Sequence, residues 1–154
     1  MRLKRATIRH IEAEIYAYWD TIRHMEDLRR DILLAGGGAS VVQAGRATAA
    51  TSTVERRATY LADSALLREM ERITTAIRRA YEGLREEARR VLWVKYGLAI
   101  EWRPPAELAA MLTGRNRFDV PAHEMASMAG VDESTFYRYR SAFVCAIAQH
   151  LGWY

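Results

Sequence analysis

The sequence predicts an all-α protein. Three observations carry that reading. Apolar side chains recur in alternating steps of three and four along residues 5–34, which is a helical period. A second run, 59–82, places Leu66, Met70, Ile73 and Ile77 on one helical face, with Tyr81 beside them. The window 122–141, AHEMASMAGVDESTFYRYRS, reads as two helices joined by a glycine turn.

The first helix is expected over 5–34, within an N-terminal segment 1–34. Its seam is Ile8, Ile11, Ile15, Tyr18, Ile22, Met25 and Ile32, interrupted at Arg29 and widened by Trp19 and Leu28. Such a coiled-coil-like stripe serves equally as a core face within the chain or as the seam of a homodimer or higher homo-oligomer. Both readings stay open. Residues 35–58 are expected to be a flexible linker. Most of that stretch, AGGGASVVQAGRATAATST, is Gly, Ala, Ser and Thr without an acidic residue or a large aromatic. Its glycines lack the Gly-Lys-Ser/Thr ending of a phosphate-binding loop.

Residues 59–154 are expected to form a helical domain. After the helix at 59–82, REEARRVLWVKYG (85–97) predicts a short helix. Glu86 and Glu87 suit its first turn, and Gly97 suits its C-cap. Pro104-Pro105 then opens a helix at 105–112 that stops at Gly114. Arg115 and Arg117 flank Asn116 in what reads as an exposed turn.

The last part, 121–150, fits a helix-turn-helix. Ala126 supplies a small residue where two helices cross, and Gly130 supplies the left-handed turn. Met125, Ala129, Val131, Phe136 and Tyr139 are placed to pack the pair, and Asp132 to cap the second helix. At 100° per residue, Ser134, Arg138 and Ser141 lie opposite Phe136 and Phe143, flanked by Tyr137 and Thr135. These residue types hydrogen-bond bases and phosphates. Ser134 and Thr135 also suit a helix N-terminus for its own sake. Arg140 lies nearer the core flank, where phosphate is the expected contact.

Half of the 154 residues are hydrophobic, enough for a real core, and the formal charge is +4. Of 23 basic residues only Lys4 and Lys95 are lysines. Arginine forks onto phosphate and guanine, although a GC-rich genome gives the same bias. Arg78, Arg79, Arg85, Arg89 and Arg90 interleave with Glu82, Glu86 and Glu87, which reads as a solvated face. Trp93 and Trp102 read as packing anchors. A single cysteine, Cys145, excludes an intramolecular disulfide. The four histidines show no metal-ligand spacing, and no nucleophile–base pair is visible. Neither a cofactor nor an enzymatic activity is expected. The charged start, MRLKRATIRH, does not resemble a signal peptide, and no apolar run reaches membrane length, so a cytoplasmic protein without membrane contact is expected.

The order of parts resembles the phage late-gene transcriptional activators of the RinA/ArpU type, whose C-terminal half is similar to region 4 of bacterial sigma factors. The likeness rests on the N-terminal helix before a Gly-rich gap, on ERITTAIRRAYEGLREEARRVLWVKYGL (71–98), and on AGVDESTFYRYRSAFVCAIAQHLGW (129–153). One departure is the stretch 99–120, where the family has a short connection. The resemblance implies contacts to double-stranded DNA through Ser134, Thr135, Tyr137, Arg138 and Arg140. It implies a regulator of phage or prophage late genes, acting as an activator in a host bacterial cell, with host RNA polymerase as a further partner. Two alternatives remain open at the level of sequence: a small terminase subunit that packages DNA, and a sigma-like adaptor that binds RNA polymerase.

Overall fold

Seven α-helices and one 3₁₀ turn make up the regular structure of the computed structural model, which describes residues 2–37 and 49–154 and has no strand among them. The all-α expectation holds. The helices are α1 (Arg5–Tyr16), α2 (Tyr18–Gly37), α3 (Ala49–Glu82), α4 (Glu86–Tyr96), α5 (Ala106–Leu112), α6 (Ala122–Ala129) and α7 (Glu133–Leu151).

Three helix boundaries differ from those expected. The helix expected over 5–34 is divided at Ala17, whose N–H still bonds the Ala13 carbonyl. The third helix starts at Ala49 and not at 59, so residues 49–58 of the expected linker are helical. The small residues that suggested a linker include alanines, and alanine is the strongest helix former. Residues 35–37 of that linker belong to the end of α2, and 38–48 lie outside the described residues.

The chain divides into two compact units: the part up to Tyr18 together with Thr75–Tyr154, and Trp19–Thr74. These units do not follow the division expected at 34 and 58. The physical reason is packing, because α1 buries Ile11 and Ile15 and packs on α7, far along the chain.

In the unit Trp19–Thr74, α2 and the first part of α3 run antiparallel. The Thr74 hydroxyl points at the Met25 sulfur at 3.6 Å, and one turn further along α2 Arg29 donates to Glu71 at 3.0 Å. Met25 and Leu28 are buried there, as is Ile73. Much of the apolar stripe expected over 5–34 is therefore consumed within the chain: Ile11, Ile15, Tyr18, Met25 and Leu28 are all buried. These five side chains therefore act in the chain's own core, as the core reading of the stripe expects. Leu33, Leu34, Val54 and Leu61 instead face outward.

In the other unit, α4, α6 and α7 pack against one another. Val91, Val94, Leu108, Met125, Ala126 and Phe136 share one apolar cluster, with Trp93 and Trp102 against its edge as expected. Each fully buried aliphatic or aromatic side chain contributes about 1.5–3 kcal/mol. Gly97, with φ +68°, ends α4 in the left-handed cap expected of it.

Candidate nucleic-acid interface

The turn between α6 and α7 is built from backbone hydrogen bonds that require Gly130. Its φ is +75°, and its N–H bonds the Ser127 carbonyl at 3.1 Å. The Val131 N–H reaches back to the Ala126 carbonyl at 3.0 Å, completing a Schellman ending. A residue with a Cβ would carry about 1–2 kcal/mol of strain at that φ. Directly after the turn, the Asp132 carboxylate accepts from the Thr135 N–H at 2.7 Å and from the Ser134 hydroxyl at 3.0 Å. Those bonds, the Thr135 N–H first, hold the Asp132 carboxyl below its ordinary range. The expected cap is present.

From this cap α7 presents two faces. Phe136, Phe143, Val144, Ile147 and Leu151 are buried. Tyr139 is half-buried and donates its hydroxyl to Glu87 on α4 at 3.0 Å, which ties the two helices together. On the other side Ser134, Tyr137, Arg138 and Ser141 are exposed, and Thr135 is half-buried beside its capping bond. The Arg138 guanidinium sits 5.7 Å from the Tyr139 ring and enters no ion pair among the described residues. A cation on the outer face of a helix following a tight turn can fork onto a guanine edge or a phosphate. Tyr137 offers a hydroxyl and an aromatic face next to it.

Arg140 stands apart from that group. Its guanidinium grips Glu12 of α1 with two bonds of 2.7 Å, and the Tyr96 hydroxyl donates to the same Glu12 oxygen at 2.7 Å. Burial, and then the hydrogen bond to Glu12, push the Tyr96 phenol up. Burial, and then the Arg140 charge, push the Lys95 ammonium down. Arg140 is thus a positioning residue that fixes α7 to α1. Of the six residues singled out from sequence, the structure brings Ser134, Tyr137, Arg138 and Ser141 to one exposed stripe, places Thr135 at the cap, and directs Arg140 inward.

The stretch 99–120 braces the same unit. Arg117 does not lie in an exposed turn. Its Nε donates to the Val94 carbonyl at 2.9 Å and its terminal nitrogen to the Trp93 carbonyl at 3.2 Å, over the Trp93 ring. It thereby meets the Val94 carbonyl at the open end of α4 and adds a second donor to the Trp93 carbonyl, which the Gly97 N–H already bonds at 2.8 Å. Arg115, in contrast, is exposed and pairs with Glu124 of α6 at 2.7 Å. Asn116 caps the 3₁₀ turn Arg117–Asp119 by accepting from the Phe118 N–H.

Charge is distributed unevenly. The unit that holds α7 carries 15 basic and 11 acidic residues, and Trp19–Thr74 carries 8 of each. The whole net charge of +4 therefore belongs to the unit with the helix-turn-helix. Sequence reasoning used the basic start of the chain only to exclude a signal peptide, yet Arg2, Lys4 and Arg5 line a groove together with Ser141 of α7. Among the described residues, no three of His, Cys, Asp and Glu are grouped to hold a metal, and no helix is long and apolar enough to cross a membrane. No family model, curated protein or solved structure matches this chain.

Proposed function

We propose that the chain is a sequence-specific DNA-binding transcriptional regulator, and, following the sequence resemblance, an activator of phage or prophage late genes acting in the cytoplasm of a bacterial host. One observation carries the DNA reading above the others. A left-handed glycine turn and a carboxylate cap deliver an α-helix whose outward stripe holds Ser134, Tyr137, Arg138 and Ser141, while its inward face is sealed on α4 and α6. The positive charge of the same unit supports it, since phosphate neutralisation supplies most non-specific affinity.

In this mechanism the first half of α7 enters the major groove. Arg138 forks onto guanine O6 and N7, and Tyr137 and Ser134 reach the flanking base edges or phosphates. Glu12 and Arg140 hold α7 at its angle, so the reading stripe arrives pre-positioned. The adaptor alternative draws on a separate observation. Leu33, Leu34, Val54 and Leu61 face outward on the unit Trp19–Thr74, a surface chemistry suited to a protein such as RNA polymerase. The two activities combine in an activator. The packaging alternative relies on a ring seam along 5–34, and the burial of that stripe within the chain weighs against it.

The test is capture of genomic fragments from a lysogenic host, followed by transcription from the captured promoter with purified polymerase. Enrichment of one late promoter and a rise in its transcript support an activator. Enrichment without a rise leaves a DNA-binding protein that is not an activator. Uniform weak capture, with polymerase retained, replaces the reading by the adaptor.

A further inference from the structure

The start of the chain lies along the second half of α7, and an open groove of about 730 Å³ runs between them. Its polar walls are Arg2, Lys4, Arg5, Arg140 and Ser141; apart from Cys145 the remainder is aliphatic. No carboxylate lines it. Arg140 is neutralised by Glu12, but Arg2, Lys4 and Arg5 are exposed and enter no ion pair among the described residues. Three uncompensated cations on one short segment repel one another until an anion joins them. The first turn of α1 adds to the positive field, because it holds no acidic residue and no side chain caps it.

We propose that this groove seats the phosphodiester backbone of duplex DNA at the edge of the major groove that α7 enters. The proposal rests on the DNA-binding reading and adds a contact that the reading lacked. Ser141 joins the two regions, since it belongs to the exposed stripe and to the groove wall. At about 1.5 Å per residue, Ser141 lies about 4–5 Å beyond Arg138 along the helix, and Cys145 about 10 Å beyond it. A major groove is about 12 Å wide. A wall at that offset therefore meets the flanking phosphates and not the base edges. An open groove with cations spread along it suits a run of phosphates better than a single small anion. Its aliphatic wall suits deoxyribose. The contact reads no sequence.

The single cysteine provides the probe, as Cys145 lines the groove and is half-exposed. The full chain and a variant combining Arg2→Ala, Lys4→Ala and Arg5→Ala are titrated with two short duplexes, one selected and one random. Salt dependence of binding and the rate of Cys145 alkylation are read in each case. The proposal expects Cys145 to be protected by either duplex. In the variant the log–log salt slope should fall by about 2–3, at about 0.9 per phosphate, and affinity should drop by a similar factor for both sequences. Should both duplexes bind with Cys145 unprotected and the slope unchanged in the variant, the groove is overturned and the α7 reading stands. Protection and a reduced slope without any preference between duplexes support the groove and sink sequence reading by α7. Absence of binding to either duplex overturns both.

Discussion

Arg138 and Arg140 are two positions apart, yet their surroundings are opposite: one side chain is exposed and the other is paired with Glu12. Arg138 is exposed and joins no ion pair among the described residues, so its removal should leave stability within about 0.5 kcal/mol of the parent. Arg140→Ala leaves Glu12, only 16% exposed, without its cation and should cost about 2 kcal/mol. Urea unfolding of the two variants checks this, and equal losses would mean that Arg138 is structural. Asp132 makes a prediction in acid. Its carboxyl is held below its ordinary value by the Thr135 N–H, so the stabilisation from ionised Asp132 is fully present above the unfolded value of 3.8. It is lost as the pH falls from there through the folded value. Asp132→Asn keeps a capping oxygen but cannot titrate. Melting curves of parent and variant should therefore keep a constant offset at neutral and mildly acidic pH and converge below about pH 4. An offset that persists in strong acid would assign the effect to something other than the cap.

Helices and turns were legible where a local rule decides them. Gly97, Gly130 and Asp132 were read at their caps because φ and capping preference act over a few residues. The joint at Ala17 was not legible, since neither proline nor glycine marks it. Arg117 was misread because its partners, the Trp93 and Val94 carbonyls, lie 24 and 23 residues away and no periodicity reports such a reach. Its role makes a coupled prediction at the end of α4. A Cβ at Gly97 would stand 2.8 Å from the Arg117 guanidinium, in a left-handed residue. Gly97→Ala should cost about 1–2 kcal/mol from backbone strain plus that clash, and Arg117→Ala about 2 kcal/mol from its charged hydrogen bonds. The double variant should lose less than the sum, because removing Arg117 relieves the clash. Strict additivity would show that the two residues do not meet.

At the scale of the whole molecule, one seam pattern supported two organisations, and the chain's own packing takes up part of that seam. The stripe along 5–34 spans both units: Ile11 and Ile15 are buried in one, Met25 and Leu28 in the other. Met25→Ala should therefore lower stability by about 2–4 kcal/mol and leave the solution mass unchanged. A fall in mass with the fold intact would restore the oligomer seam. The exposed stripe on α7 was foreseen from helical angles alone, whereas the basic groove beside it was not, because it unites residues from the two ends of the chain. The two units also differ in charge, with the whole excess of +4 on the unit that bears α7. The proposed function rests on one claim, that α7 reads base sequence through Arg138. The direct measurement is selection from a randomised duplex library, run in parallel with the parent chain and with Arg138→Ala. The account predicts a defined motif for the parent. It predicts relaxed preference at one base position for the variant, with affinity for the parent's motif reduced by about 5- to 150-fold, as the loss of one bidentate guanine contact implies. An identical motif and affinity from both proteins, or no motif from either, would contradict it.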